Sequence, residues 1–175
     1  MAVLPIRQFG DPVLRQRARP VERIGDEQRA LVSNMLDTMR AAPGVGLAGP
    51  QVGVLERIFV WEVDDRHGAV IDPVIEERSA ATVVMDEGCL SLPGLTYPVE
   101  RAEWVAVTGR DARGEPVVIE AEGLLARVCQ HEIDHLDGIL FVDRLPESLR
   151  QEALGVLRSR LLGFAAPAGP TEGAL

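Results

Sequence analysis

QHEIDHLDG, residues 130 to 138, places His131 and His135 one helical turn apart with Glu132 beside the first. Residues four apart on an α-helix project from one side, so both imidazoles can reach a single ion. Glu132, one step round, can lean toward a metal-bound water rather than toward the ion. This is the H-E-x-x-H arrangement, which is informative when it falls inside a helical pattern. It does so here, because Gly123 to Leu136 has helical period and Gly138 ends it. Two imidazoles alone are too few for a tight site, so the motif asks for a third ligand.

Outward from this helix the pattern changes to short strands. RIFVWEV (57–63), AVIDPVI (69–75), ATVVM (81–85), AEWVAVTG (102–109) and PVVIEA (116–121) are separated by turn sequences such as DDRHG and DARGE, which is antiparallel spacing. Asp11-Pro12 reads as a cap and first-turn proline opening a short helix through Arg17. A second helix is expected with Asp26 as its cap, with Leu31, Met35, Thr38 and Met39 on one face, stopped by Pro43-Gly44. Pro146 to Leu162 predicts a last amphipathic helix docked through Leu154, Leu157 and Leu161. Helices and strands are segregated, which predicts an α+β fold: antiparallel strands packed around a central metal-binding helix, with a C-terminal helix.

The 175 residues suit one domain, read as residues 1–164, with a core that needs no disulfides. Residues 165–175, AAPAGPTEGAL, are small and Pro/Gly-rich and read as a flexible tail. With 46% hydrophobic and 26% charged residues the chain is neither disordered nor fibrous in composition. A net charge of -9 argues against a surface that coats nucleic acid, and the local RQRAR at 15–19 reads as a solvated helix face. Two cysteines make no disulfide framework, MAVLPIRQFG lacks the apolar core of a signal peptide, and no stretch is apolar enough to span a membrane. A soluble protein of the reducing cytoplasm is expected.

The third ligand is approached by elimination. A histidine six residues after His135, as one class of zinc peptidase requires, is excluded because that position is Phe141. His67 lies in the turn-like DDRHG and reads as solvated. Glu152 could serve as in a thermolysin-like site, although the chain after His135 is short for that architecture. Cys129, two residues before His131, lies about 200° round the helix and reads as a small buried hydrophobe. Cys89 is the better choice, in EGCLSLPG, flanked by Gly88 and by a Pro-Gly pair that takes the chain out of regular structure. Taken alone, a free cysteine is more often simply packed.

Three blocks in series reverse that judgement. EGCLS (87–91), QHEIDHLDG (130–138) and GVGLAGPQVG (44–53) stand in the order and spacing of peptide deformylases, and the chain resembles that family from about Leu4 to the last helix. The resemblance implies that Cys89, His131 and His135 ligate a catalytic divalent metal, with Glu132 as the acid/base. It implies Fe2+ as the native ion, with Zn2+, Ni2+ or Co2+ as substitutes. It further implies a metal-dependent hydrolase that removes the N-formyl group from the N-terminal methionine of newly synthesised polypeptides and releases formate. Its partners would be N-formylmethionyl peptides and nascent chains, with transient ribosome contact for which Arg150, Arg158 and Arg160 of the last helix are candidates. No membrane and no direct nucleic-acid readout are expected.

Three protein ligands leave one position for a water whose pKa the ion lowers toward about 7. The oxyanion needs donors, expected from the Leu90 backbone N–H and, by resemblance, the Gln51 side-chain amide. Leu124, Val128, His131 and His135 fall at i, i+4, i+7 and i+11, so an apolar patch leads to the ion and would suit an unbranched thioether. In the family this neighbourhood, with the Val45 segment and Glu87, receives the methionine side chain, while the strand-like backbone of Gly44, Val45 and Gly46 pairs with the peptide.

The chain departs from the family pattern at Gly49, where GxGxAAxQ has a second alanine; looser packing or an unusual backbone angle is expected there. Arg127 is expected at the rim of the methionine slot. Asp134 is expected to pair with Arg101, because an unpartnered buried carboxylate is costly, and Asp137 to face solvent near the helix end. Two other readings stay open: a zincin-type peptidase with Glu152 on the metal, and a non-catalytic relative that binds peptides.

Overall fold

The computed structural model describes residues 2–163, so the tail expected over residues 165–175 lies outside the described residues. Ten regular elements follow one another: α1 (Asp26–Ala41), β1 (Gly46–Ala48), β2 (Ile58–Val63), β3 (Arg66–Arg78), β4 (Thr82–Gly88), β5 (Thr96–Ala102), β6 (Trp104–Arg110), β7 (Pro116–Glu122), α2 (Gly123–Leu136) and α3 (Glu147–Leu161). Strands β1, β2, β3, β6 and β7 form one antiparallel sheet in that spatial order, and β4 and β5 pair separately. The fold is α+β with antiparallel sheets, as the spacing of the strands predicts.

Strand β2 shows why the layers form. Successive side chains of a strand point to opposite faces. Ile58 and Val60 pack with Val32, Met35 and Met39 of α1, whereas Phe59, Trp61 and Val63 pack with Leu125, Val128, Cys129 and Ile133 of α2. With a helix on each face there is no solvent side, and the strand reads as a nearly unbroken apolar run. A third cluster joins α3 to the end of β4, through Ala153, Val156 and Leu157 with Leu92, Phe141 and Cys89.

The C-terminal end of α2 is tied down by the N-terminal segment and by β2's approach. Ala18 N–H donates to the Leu136 carbonyl at 2.8 Å, and Arg57 reaches Asp137 at 2.7 Å. Gly138 (φ +74) ends the helix where a Cβ would stand 2.7 Å from the Arg15 carbonyl oxygen, so only glycine fits. No described helix is long and apolar enough to cross a membrane.

The structure revises several local expectations. Pro12–Arg15 is a 3₁₀ turn rather than a helix through Arg17, although Asp11 does cap it by accepting the Val13 N–H. Gly25, not Asp26, is the cap of α1; Gln28 Oε1 accepts the Gly25 N–H at 3.1 Å, and Asp26 is the first helical residue. Val32 rather than Leu31 is buried on its inner face. The turn in DDRHG is confined to Asp64 and Asp65, both with positive φ as a tight hairpin demands, so exposed His67 lies in β3 opposite Glu62. Strand β4 runs on to Gly88, and its partner β5 has no counterpart among the expected strands. Pro98 had disguised β5, but in a two-stranded sheet a missing N–H on the free side is tolerated. On α3 the docking face is Ala153, Val156 and Leu157 with Leu154 half-buried, while Leu161 in the last turn stays 57% exposed.

Candidate metal centre

Three segments converge beneath the sheet. Strand β4 ends at Gly88 and delivers Cys89; α2 delivers His131 and His135 from one face; and the turn after β1 delivers Gln51. Cys89 Sγ stands 3.2 Å from His135 Nε2, which stands 3.2 Å from His131 Nε2. Two nitrogens each about 2.0–2.1 Å from one tetrahedral ion are themselves about 3.3 Å apart, so the spacing suits a common cation. Among the described residues this is the one group of His, Cys, Asp and Glu whose ligand atoms could hold an ion, and all three are buried. A cation on such a set displaces protons, so its affinity falls as pH drops.

The charges around the ligands are ordered by hydrogen bonds. Glu87, wholly buried, accepts the His131 Nδ1–H at 2.6 Å, which leaves Nε2 facing the other ligands. Burial alone would raise the Glu87 carboxyl, but the hydrogen bond and charge of His131, then those of Arg101, outweigh it and hold the group well below the usual carboxylate range. Burial likewise works against protonation of His131, yet its contacts with Cys89 and Glu87 push it up; burial and the neighbouring His131 push His135 down. Arg101 also pairs with Asp134 at 2.6 Å, the partnership expected from the sequence, and Asp134 continues to Arg144 at 2.6 Å.

Glu132 lies in the same buried space with its Oε2 free of any protein partner. Burial raises its carboxyl to about 7, the charge of Glu87 adding to the rise while His131 and Arg101 oppose it. A Cβ on Gly46 would overlap Glu132 Oε1 and stand 2.9 Å from Val128 Cγ1, so glycine here lets β1 lie against the carboxylate. Gln51 is wholly buried and fixed at both ends: its Oε1 accepts the Ala48 N–H at 2.8 Å, and its Nε2 donates to Ser91 Oγ at 3.3 Å and points at Cys89 Sγ at 3.6 Å. Leu90 follows Cys89 in a turn closed by Leu92 N–H on the Cys89 carbonyl at 3.0 Å, and its side chain covers Gly44.

Other sequence expectations fall differently. Arg127 is not at a rim: it is 1% exposed, with Nη1 on Glu87 at 2.8 Å and on the Val99 carbonyl at 3.0 Å. Burial of a guanidinium requires such partners, and they lie inward, toward β4 and β5. Val128 is buried, whereas Leu124 is 38% exposed in a surface hollow of about 360 Å³ that it shares with Val63, Trp104 and Glu122. Glu87, expected beside methionine, turns both oxygens to His131, Arg101 and Arg127. Gly49 is neither loosely packed nor left-handed; a Cβ there would meet the carbonyl oxygens of Glu56 and Val54 at 2.8 Å. Cys129 is wholly buried, its thiol pushed up to about 12 by burial and by Glu132. Glu152 is engaged by the Tyr97 hydroxyl at 2.9 Å and is not part of the ligand group. Asp137 is half-buried under Arg57 rather than simply solvated. Ser91 and the bonds of Arg101 and Arg127 to Glu87 were missed, although both arginines were placed near the site; the available signal was that Arg127 precedes His131 by one helical turn.

Comparison with known proteins agrees with the geometry. The sequence profile of the family described as polypeptide deformylase matches residues 3–151. A peptide deformylase of Acidothermus cellulolyticus is 51% identical over 158 residues, covering 90% of this chain and 87% of the relative. The crystal structure of peptide deformylase from Thermus thermophilus superposes with a TM-score of 0.87 at 51% identity, covering 93% of this chain and 97% of that one. That of Synechococcus elongatus in complex with actinonin gives 0.84 at 41% identity, covering 98% and 94%. Matched along nearly its whole described length, in sequence and in backbone alike, the chain belongs to the polypeptide deformylase family.

Proposed function

We propose that this enzyme hydrolyses the formyl amide of N-formylmethionyl peptides and nascent chains, releasing formate, with Glu132 as its acid and base. The observation that carries the reading is the meeting of three ligand atoms with a buried, unpartnered carboxylate oxygen, Glu132 Oε2. Cys89, His131 and His135 would hold one divalent ion, Fe2+ in the native protein, with Zn2+, Ni2+ or Co2+ able to replace it. When bound, that ion supplies Lewis-acid chemistry, polarising the formyl oxygen and making water nucleophilic near neutral pH.

The remaining work falls to the protein. Glu132, whose carboxyl burial raises to about 7, takes a proton from the attacking water. It returns that proton to the amine nitrogen as the C–N bond breaks, so the amine leaves neutral and the water oxygen ends in formic acid, which gives its remaining proton to solvent as formate. The Gln51 amide and the Leu90 N–H serve as donors to the oxyanion, and the Ala48 N–H on Gln51 Oε1 keeps the amide's donor end toward Cys89 and Ser91. Glu87 keeps the Nδ1 proton on His131.

For the peptide, β1 is the edge strand of its sheet, which supports main-chain pairing along Gly44, Val45 and Gly46. A methionine slot would rest on Val128, which is buried one turn before Glu132 and packs beside Gly46, whereas Leu124 lies in the hollow with Val63 and Trp104 and Glu87 is taken up by His131, Arg101 and Arg127. On α3, Arg160 bonds the Pro93 and Gly94 carbonyls while Arg158 is exposed, so a transient ribosome contact in the cytoplasm would rest on Arg158 and its neighbours.

The test is formate release from formyl-Met-Ala by iron-loaded protein under anaerobic conditions. Formate release that is blocked by actinonin and lost in Glu132→Gln is expected. A folded, metal-loaded chain that releases no formate would overturn the proposal. Cleavage of unformylated peptides that survives Cys89→Ser would favour the peptidase reading instead.

A further inference from the structure

Arg127 is the largest wholly buried side chain among the described residues. It sits one helical turn before His131, so the two side chains rise from the same face of α2. Both reach Glu87: His131 Nδ1 at Oε1 (2.6 Å) and Arg127 Nη1 at Oε2 (2.8 Å). Arg127 Nη1 also bonds the Val99 carbonyl of β5 and Nη2 the Val83 carbonyl of β4, each at 3.0 Å. Arg101 holds the same carboxylate through Nε (3.1 Å) and Nη2 (2.6 Å), but its Nη1 is drawn to Asp134 on the far side.

These contacts join two parts of the ligand set that the backbone leaves separate. The thiolate comes from the end of β4 in the small sheet, and both imidazoles come from α2. Arg127 is bonded to both strands of that sheet while rooted in α2, so it fixes Cys89's strand relative to the histidines. It shares Glu87 Oε2 with Arg101 Nε, while His131 and Arg101 Nη2 share Oε1, so Arg127 pins the end of the carboxylate away from the ring and helps to orient it.

We propose that Arg127 is a positioning residue of the metal site: through Glu87 it holds His131 in its ligating orientation, and through Val83 and Val99 it holds the Cys89 strand against α2. This rests on the reading of Cys89, His131 and His135 as ligands. Glu87 remains paired with Arg101 when Arg127 is removed, so the fold need not fail with the site.

The test uses cobalt(II)-loaded protein, with affinity measured by competition against a chromophoric chelator and ligand geometry followed by the cobalt absorption bands. Arg127→Met should bind cobalt about 10- to 100-fold more weakly and show altered bands while its circular dichroism stays native. Arg127→Lys, keeping the charge and one contact, should recover part of the loss. In a Glu87→Gln background the Arg127→Met effect should shrink to the part carried by the Val83 and Val99 carbonyls, since contacts in one network are not additive. Unchanged affinity and bands in a less stable Arg127→Met protein would reduce Arg127 to a packing role and overturn the proposal, as would full additivity with Glu87→Gln. Should Arg127→Met fail to fold, the same two measurements on Arg127→Lys decide. Wild type that binds cobalt but releases no formate would sink the functional reading and leave the assignment of Arg127 standing on the cobalt data.

Discussion

Gly46 lies directly against the carboxylate of Glu132, so closely that a single added methyl would occupy the place of Oε1. Edge-strand backbone and acid/base group therefore share one volume. Gly46→Ala should push the flexible end of Glu132 out of position and lower kcat by at least about tenfold, toward the 10²–10⁴ that general acid–base catalysis contributes. Formate-release kinetics check this, and an unchanged kcat would separate Gly46 from the mechanism.

Gln51 is held at both ends before any substrate arrives. Gln51→Leu removes one oxyanion donor and should lower kcat by about 10²–10³ with the metal retained. It also leaves the buried Ala48 N–H without its acceptor, so a loss of about 1–3 kcal/mol in stability accompanies it. Metal content by atomic emission, alongside kcat and urea unfolding, distinguishes a lost donor from a lost ion.

Gly49→Ala restores the residue of the family pattern but should destabilise this chain by about 1–3 kcal/mol, because the Glu56 and Val54 carbonyls occupy the space. Urea unfolding of the two proteins is the measurement. A more stable variant would show that this turn relaxes at no cost.

Tyr97 is the only tyrosine in the chain, so its ionisation can be followed alone. Burial, then the hydrogen bond and charge of Glu152, raise its hydroxyl to about 12, while Arg160 opposes the rise. The folded value lies above the unfolded one, so this contribution to stability is present in full below about pH 10 and is lost as pH rises toward 12. Tyrosinate absorbance should appear near pH 12 in the folded protein and near pH 10 in urea, and Glu152→Gln should lower the folded value. Coincident titrations would remove the Tyr97 to Glu152 link between β5 and α3.

A thiolate-bound Fe2+ is open to oxidation. Iron-loaded protein should lose activity in air while nickel- and cobalt-loaded protein keeps it. Equal decay rates for the three ions would contradict the assignment of iron.

The fold was legible where hydrophobic period is strong. α2 and β2 announce themselves because each is apolar on the side, or sides, that it buries. Strand β5 was not, since TYPVERA carries a proline and two charges; its identity comes from pairing with β4, which sequence period does not record. The site divides in the same way. His131, Glu132 and His135 are set by local spacing, whereas choosing Cys89 over Glu152 needed the company of two other blocks. The inward course of Arg127 was hidden because its partners, Glu87, Val83 and Val99, lie 28 to 44 residues away and only the folded chain brings them near.

The sulfur and the imidazole that face each other at 3.2 Å are 46 residues apart in sequence. An unfolded chain holds them at no fixed distance and offers a cation nothing tighter than scattered single donors. An ion held by Cys89, His131 and His135 would therefore be captured only after the hairpin carrying Cys89 has docked on α2. Once seated there, such an ion would fasten a long loop and oppose its reopening. A freshly made copy must finish its own assembly before it can trim the ends of others.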